Sequence, residues 1–461
     1  MTAPTPPELW KHQKEALAFQ RRVDRVYDAS DPGCGKTRVA LEAYRERRNK
    51  GGKRALIVAP LSLMKTTWRN DVEEFTPELT ISYAFAGKRK EAFEQKTDIV
   101  MINTDGVRWI TDTPYAIRLL NDFDTVIIDE MTYYKKRTAA RSKAMKKIAS
   151  RFKYRVALSG TPRTGSVLDM WHQILILDDG HMLGPSFTRF RQQFCIPRHN
   201  GFAIEWADRP DANKLLMHLI GGMMIRYRFD EVMDVPPNYT RTIKVNLPAN
   251  LRQKYVDLEV ESVLELKSGT VSAVNAAVMA NKLLQLTSGS VYDEHGEPQI
   301  LDTTRYELIT DLVAERDHTV VFFNWRHQRD ELIKLAKKRG ISYAYMDGTV
   351  SHTKREKIVA QFQAGNFQAL YLQPDTGAHG LTLTRGRTTI WSSPVYKPDV
   401  LKQGLHRIYR GGQKHKTETI LIEAEDTIEQ HVFDKLRAKE GGMLNLLSLI
   451  EKTQDLRNKR V

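Results

Sequence analysis

The octet Ser30-Asp-Pro-Gly-Cys-Gly-Lys-Thr37 contains the residue types that grip a polyphosphate. Gly33 and Gly35, with Cys34 between them, let backbone N–H groups come close to an anion, and a helix opening at Lys36 adds its N-terminal dipole. The Lys36 ammonium supplies a point charge, and the Thr37 hydroxyl is suited to a bound Mg²⁺. A chance turn ending in Gly-Lys-Thr is the competing reading, because Ser30 stands where the full phosphate-loop pattern has its first glycine. Farther along, Thr125-Val-Ile-Ile-Asp-Glu130 is a β-branched run ending in two carboxylates. That order directs Asp129 to a metal and sets Glu130 beside it to polarise a water, which completes the needs of phosphoanhydride hydrolysis. Ahead of the octet, Gln13 lies on a helical pattern with Trp10, Ala16 and Leu17, where its amide can pair with the edge of adenine.

These groups need strand-end loops to hold them. Arg54-Ala-Leu-Ile-Val-Ala-Pro60 is a buried strand stopped by proline, and Leu61-Ser-Leu-Met-Lys-Thr-Thr-Trp68 opens a helix after it. In a parallel sheet that loop shares a rim with the phosphate loop, so Ser62, Lys65 and Thr66 can meet a nucleic-acid backbone; capping by Ser62 is an equal reading. Asp98-Ile-Val-Met-Ile-Asn103 is a further strand, and Arg155-Val-Ala-Leu-Ser-Gly-Thr-Pro162 another, whose Ser159 and Thr161 can link the metal site to a neighbouring lobe or form a plain turn. Strand and helix alternate again from His318, through Thr319–Phe323, Ser342–Met346, Ala369–Leu372 and Thr388–Trp391. Such alternation argues parallel sheets covered by helices on both faces.

The chain has 461 residues, enough for two or three domains, with 41% apolar and 28% charged residues. Its net charge of +15 favours a polyanionic partner. Between Lys135 and Arg155 the charged residues are all basic: Lys135, Lys136, Arg137, Arg141, Lys143, Lys146, Lys147, Arg151, Lys153 and Arg155. A merely solvated helix mixes signs, so nucleic acid is the expected partner of this run. No apolar run has membrane-spanning length, no signal peptide is visible, and two cysteines, Cys34 and Cys195, fit a reducing compartment; the cytoplasm of a bacterial or phage-infected cell is the expectation by analogy, with the nucleus also allowed.

Gln403-Gly-Leu-His-Arg-Ile-Tyr-Arg-Gly-Gly-Gln413 closes the inventory. Arg407 and Arg410, three apart, are expected on one helix face, where two guanidiniums can fork a terminal phosphate as its bond breaks. In order, the chain thus carries Gln13, Gly-Cys-Gly-Lys-Thr37, Ala-Pro-Leu-Ser62 with Trp68, Asp-Glu-Met-Thr132, Leu-Ser-Gly-Thr-Pro162 with Asp169-Met-Trp171, and the Gln403–Gln413 run. This series resembles the Swi/Snf family of superfamily II helicase-type ATPases over about residues 9–440.

The resemblance implies an α/β fold of two RecA-like lobes, each a mainly parallel sheet covered by helices. The first lobe is expected at 1–234 with a helical insertion at about 178–234, the second at 235–461 with one at about 251–314. The aromatics Phe187, Phe190, Phe194, Phe202 and Trp206 of the first insertion are expected to pack on one another rather than to stack on nucleic acid. The family pattern further implies ATP and Mg²⁺, a role for Thr349, Arg355 and Thr382 on the nucleic-acid backbone, and coupling roles for Gly380, Gln403 and Gln413. Asn324-Trp325 and Asp426-Thr-Ile-Glu429 agree with it. Thr132 in place of the usual His, and Thr382 in place of Asn, depart from it. The expected activity is nucleic-acid-stimulated ATP hydrolysis with translocation on double-stranded DNA, with RNA also allowed. A strand-separating helicase and a nucleotide-switched DNA-binding protein without turnover are the alternatives.

Overall fold

The computed structural model describes residues 6–160, 166–199, 204–267, 273–293, 295–377, 381–395 and 398–437. The chain divides into two compact units, one ending at Asp234 and the other beginning at Val235.

The first unit is built on β1 (Arg25–Asp28), β2 (Arg54–Ala59), β3 (Ile81–Ala84), β4 (Ile99–Asn103), β5 (Phe123–Ile128) and β6 (Tyr154–Leu158). A hairpin of β7 (Cys195–His199) and β8 (Ile204–Asp208) precedes the two-residue β9 (Met224–Ile225). The main sheet runs β3-β4-β2-β5-β6-β1-β9 and is parallel throughout. Its central strands are continuous apolar runs because both faces are covered, and every residue of Ala55–Ala59 is fully buried. Arg25–Asp28 is weak as a strand by composition, yet it lies inside the sheet between β6 and β9 with Val26 and Tyr27 fully buried. The short β9 is the final strand, pairing Met224 with Tyr27 and Ile225 with Asp28.

The stretch after Asp178 is not purely helical. Helix Phe187–Phe194 leads into the β7–β8 hairpin, and helix Ala212–Ile220 follows. Phe190 and Phe194 do stack on each other, with ring centroids 4.3 Å apart, while Trp206 lies under the Arg191 guanidinium at 4.2 Å.

The second unit holds β10 (Asn238–Val245), a hairpin of β11 (Ser290–Tyr292) and β12 (Pro298–Ile300), then β13 (Thr319–Phe322), β14 (Tyr343–Met346), β15 (Ala369–Leu372), β16 (Thr388–Trp391) and β17 (Thr417–Ala424). Its main sheet, β10-β17-β16-β13-β15-β14, is again all parallel. Helices Ala249–Lys267 and Ala273–Thr287, the β11–β12 hairpin and helix Thr304–Ala314 precede β13. A buried ion pair ties this region down: Arg305 meets both oxygens of Glu429 at 2.9 Å, and Thr287 Oγ1 and the Ala424 N–H also donate to Glu429. Among the described residues no helix is long and apolar enough to cross a membrane. Cys34 and Cys195 are both buried, unoxidised thiols.

Candidate nucleotide-binding site

Helix α1 (Lys11–Arg22) and helix α2 (Lys36–Asn49) bracket β1 and the glycine turn. The turn leaves β1 at Asp28 and enters α2 through Gly35, whose φ of +76° is the left-handed conformation a side chain resists. Space adds a second constraint: a Cβ on Gly35 would fall 2.1 Å from Gln13 Nε2. Gly33 is likewise left-handed, with φ +89°. Lys36 bends back over the turn and donates to the carbonyl oxygens of Ser30 at 2.6 Å and Asp31 at 3.0 Å. Thr37 follows on the first turn of α2, half-buried.

Gln13 is fully buried against this turn, its Nε2 3.5 Å from the Cys34 carbonyl and its Oε1 accepting from the Trp10 N–H at 3.0 Å. Composition alone did not single out His12, yet it holds the turn more tightly. Its Nε2 lies 2.9 Å from the same Cys34 carbonyl, and since a carbonyl only accepts, that nitrogen carries a proton. The ring stacks on Trp10, centroids 5.7 Å apart, and meets Tyr227 at 5.5 Å. The signal was the spacing itself, because His12, Gln13, Ala16, Leu17 and Gln20 form the buried face of α1. Tyr227, just past β9, is a second unforeseen support: its N–H donates to Ser30 Oγ at 3.1 Å and its carbonyl accepts from the Asp31 N–H at 2.9 Å. Asp28 accepts from the Ser30 N–H at 3.0 Å. Burial raises its carboxyl above the ordinary range, against the pull of the Lys36 charge and the Ser30 bonds.

Asp129 and Glu130 sit immediately past β5, on the rim that carries the glycine turn. The Asp129 N–H continues the ladder onto Val58, at 2.8 Å. One carboxylate oxygen of Asp129 accepts from Trp68 Nε1 at 2.8 Å and the other from the Glu130 N–H at 2.9 Å. Desolvation raises this carboxyl, and the Trp68 bond, the Lys36 charge and the Glu130 N–H oppose the rise. Glu130 takes a left-handed φ of +51°, a strained backbone conformation directly after the strand. Ser159, at the tip of β6, is buried, with its N–H on the Asp28 carbonyl at 3.0 Å. Ser62 is half-buried after β2. The side chains of Lys65 and Thr66, and all of Thr161 and Gly380, lie outside the described residues.

The residues of the first unit fit a triphosphate and its metal. Gly35 lets Gln13 pack directly on the turn, the ammonium already rests on oxygen acceptors, and the Thr37 hydroxyl and Asp129 carboxylate are oxygen groups of the kind a hard cation takes.

In the second unit, Arg407 and Arg410 do come together, but not on a helix. The helix Pro398–Leu405 ends before them, and both stand in the turns that follow. The helical pattern breaks where the Arg407 N–H turns to the Gly404 carbonyl, three residues back, at 3.1 Å, and the Arg407 carbonyl beyond it accepts from the Leu383 N–H at 3.0 Å. Arg407 and Arg410 each direct Nη1 at the Leu381 carbonyl, at 3.3 and 3.0 Å. Thr382 is exposed between Leu381 and Leu383. Gln403 is buried, and Gln413 donates to the carbonyls of Thr384, Gly386 and Ile408, bracing this loop. Thr349 is exposed after β14 and bonds Asp347 through both N–H and hydroxyl; Arg355 reaches the Asp347 carbonyl at 2.9 Å.

The basic run divides on inspection. Arg155 is a buried strut, paired with Asp179 at 2.7 Å and capping the carbonyls of Phe152, Ile176 and Leu177. Lys136, Arg137, Lys143, Lys147, Arg151 and Lys153 are exposed.

Residues 12–289 match the SNF2-related domain, and residues 304–412 the helicase conserved C-terminal domain. Protein p41 of the Acyrthosiphon pisum secondary endosymbiont phage 1 is 25% identical over 439 residues, covering 89% of this chain and 91% of that protein. The bovine (Bos taurus) DNA annealing helicase and endonuclease ZRANB3 is 26% identical over 458 residues, 95% of this chain but 41% of its own length. The Bacillus subtilis ATP-dependent helicase/translocase YwqA is 23% identical over 434 residues, 89% of this chain and 45% of its own. The chain therefore spans less than half of the latter two. Among solved structures, the Sulfolobus solfataricus SWI2/SNF2 ATPase core in complex with dsDNA is similar at 21% identity and a TM-score of 0.46, covering 98% of this chain and 96% of that one. With both halves of the chain matched in order, it belongs to the SNF2-related family of helicase-like ATPases.

Proposed function

We propose that the protein hydrolyses ATP and couples each turnover to movement along double-stranded DNA. The observation that carries this reading is the convergence of the glycine turn, Lys36, Asp129 and Glu130 on one rim of a parallel sheet, where Asp129 is held at both oxygens. Lys36 leaves the carbonyls of Ser30 and Asp31 to neutralise the phosphate chain. Gln13 borders the turn on the adenine side, and Glu130 orients the attacking water. Thr37 and Asp129 would hold Mg²⁺, which when bound offsets charge on the phosphate oxygens. Arg407 and Arg410 neutralise the charge that develops on the terminal phosphate. Ser62, Lys65, Thr66, Thr349, Arg355 and Thr382 contact the DNA backbone, so binding is weakly sequence-specific and falls with salt. Ser159, Gln403 and Gln413 hold loops that link the two tasks, and the family resemblance assigns Thr161 and Gly380, outside the described residues, to the same coupling role.

Phosphate release measured with no polymer, single-stranded DNA, duplex DNA and RNA tests the reading, with Lys36→Ala as control. Duplex DNA gives the largest stimulation and Lys36→Ala abolishes turnover; turnover indifferent to every polymer would overturn it. A triplex-displacement assay beside an unwinding assay separates translocation, which displaces the third strand, from strand separation.

A further inference from the structure

The segment after β2 winds unevenly. Leu61–Leu63 is α-helical, Met64–Trp68 is a π-helical turn, and Arg69–Phe75 is α-helical again. Such a turn holds one residue more than its neighbours and recurs where a side chain must be re-aimed. Here that side chain is Trp68. Its ring is fully buried in the apolar cluster that includes Ala59, Met64 and Ile127, and its single N–H is directed at Asp129 Oδ2, 2.8 Å away. An indole offers one donor and no acceptor, so this bond fixes both ring and carboxylate. With the Glu130 N–H on Oδ1, the plane of the Asp129 carboxylate is set from two sides. The same short segment carries Ser62, and Lys65 and Thr66 belong to the π turn itself.

We propose that Trp68 is a positioning residue through which duplex DNA on the 61–68 segment acts on Asp129. Rewinding the π turn as α-helix rotates a side chain by about 100° around the axis, far beyond what an indole hydrogen bond tolerates. A phosphate backbone that rewound this turn on binding would therefore break the Trp68–Asp129 bond and release that side of the carboxylate. The inference rests on the reading of Asp129 as a metal-holding group and of this segment as a DNA contact.

The test uses the full chain labelled with ¹⁵N-tryptophan, free of nucleotide and metal. Trp68→Phe identifies the Trp68 indole resonance by its loss, and Asp129→Asn identifies it independently by shifting it, should the first variant not fold. A duplex oligonucleotide moves this resonance in the wild type. Trp68→Phe binds the duplex within about twofold by fluorescence anisotropy, while DNA stimulation of ATP turnover falls about tenfold, the scale of one hydrogen bond to a charged group. A resonance that stays in place while the duplex binds and stimulates turnover, or a Trp68→Phe protein with full stimulation, overturns the proposal. A wild type that neither binds duplex nor responds to it removes the functional reading itself, and the coupling with it.

Discussion

Arg407 and Arg410 share one acceptor, the carbonyl oxygen of Leu381, at 3.3 and 3.0 Å. Under the function proposed above, a phosphate oxygen would offer these two guanidiniums the same kind of partner with a full charge.

Arg410→Ala and Arg410→Lys follow from that geometry. Each is expected to lower kcat for ATP by about a thousandfold with nucleotide affinity little changed, because the fork acts on charge that develops during bond breaking. Lysine keeps the charge but not the planar pair of donors, so it should rescue little. Single-turnover phosphate release beside fluorescent-nucleotide binding checks the split.

The second prediction concerns Gly35. A methyl there meets Gln13 Nε2 and requires a residue with side chain to keep φ +76°. Gly35→Ala should lose nucleotide binding at least tenfold and destabilise the first unit by about 1 kcal/mol. Calorimetric titration with ADP, together with urea unfolding, measures both.

The third prediction is a pH dependence seated in the second unit. His327 is fully buried, and burial lowers its pKa to about 4. Its Nε2 lies 2.9 Å from Ser288 Oγ, which itself donates to the Gln285 carbonyl, so Nε2 is the protonated nitrogen and Nδ1 accepts from Tyr292, 3.2 Å away. A second proton on Nδ1 requires the Tyr292 hydroxyl to turn its own hydrogen away, inside a site that burial already makes costly for a charge. In the unfolded chain the ring protonates near pH 6.5, so stability is full above that value and declines as pH falls from 6.5 toward 4. The total is about 3 kcal/mol. Urea unfolding at stepped pH should show this slope, and His327→Gln should remove it.

The fourth is the Arg305–Glu429 pair. Replacing Glu429 with Gln leaves a buried guanidinium short of its counter-charge and should cost about 3–5 kcal/mol. Arg305→Met with Glu429→Gln should recover part of the loss. Denaturant unfolding of the two variants decides it.

Much of the candidate site was legible because the chemistry proposed for it restricts residue type. Few side chains can replace Gly35 or Lys36, and while carboxylates after a strand are common, Asp129 and Glu130 stood out by following the glycine turn within the same alternating pattern. What escaped reading was set by partners distant in sequence. In β10, Tyr239, Arg241 and Ile243 give no clean alternation, and the strand exists because β17 pairs with it residue for residue from Asn238–Thr417 to Val245–Ala424. The β7–β8 hairpin did leave a local mark, an Asn200-Gly201 pair between two short runs, which aromatic content obscured. The three-residue spacing of Arg407 and Arg410 suggested a helix, but the Arg407 N–H turns to the Gly404 carbonyl and the chain continues as turns.

The support that Tyr227 gives the glycine turn has a consequence during synthesis. Ser30 and Tyr227 are 197 positions apart. A nascent chain therefore leaves the ribosome with its glycine turn unbraced on one side until almost the whole first unit has been made. Any fragment meant to preserve the turn's native shape must reach past residue 227, however complete its upstream strands.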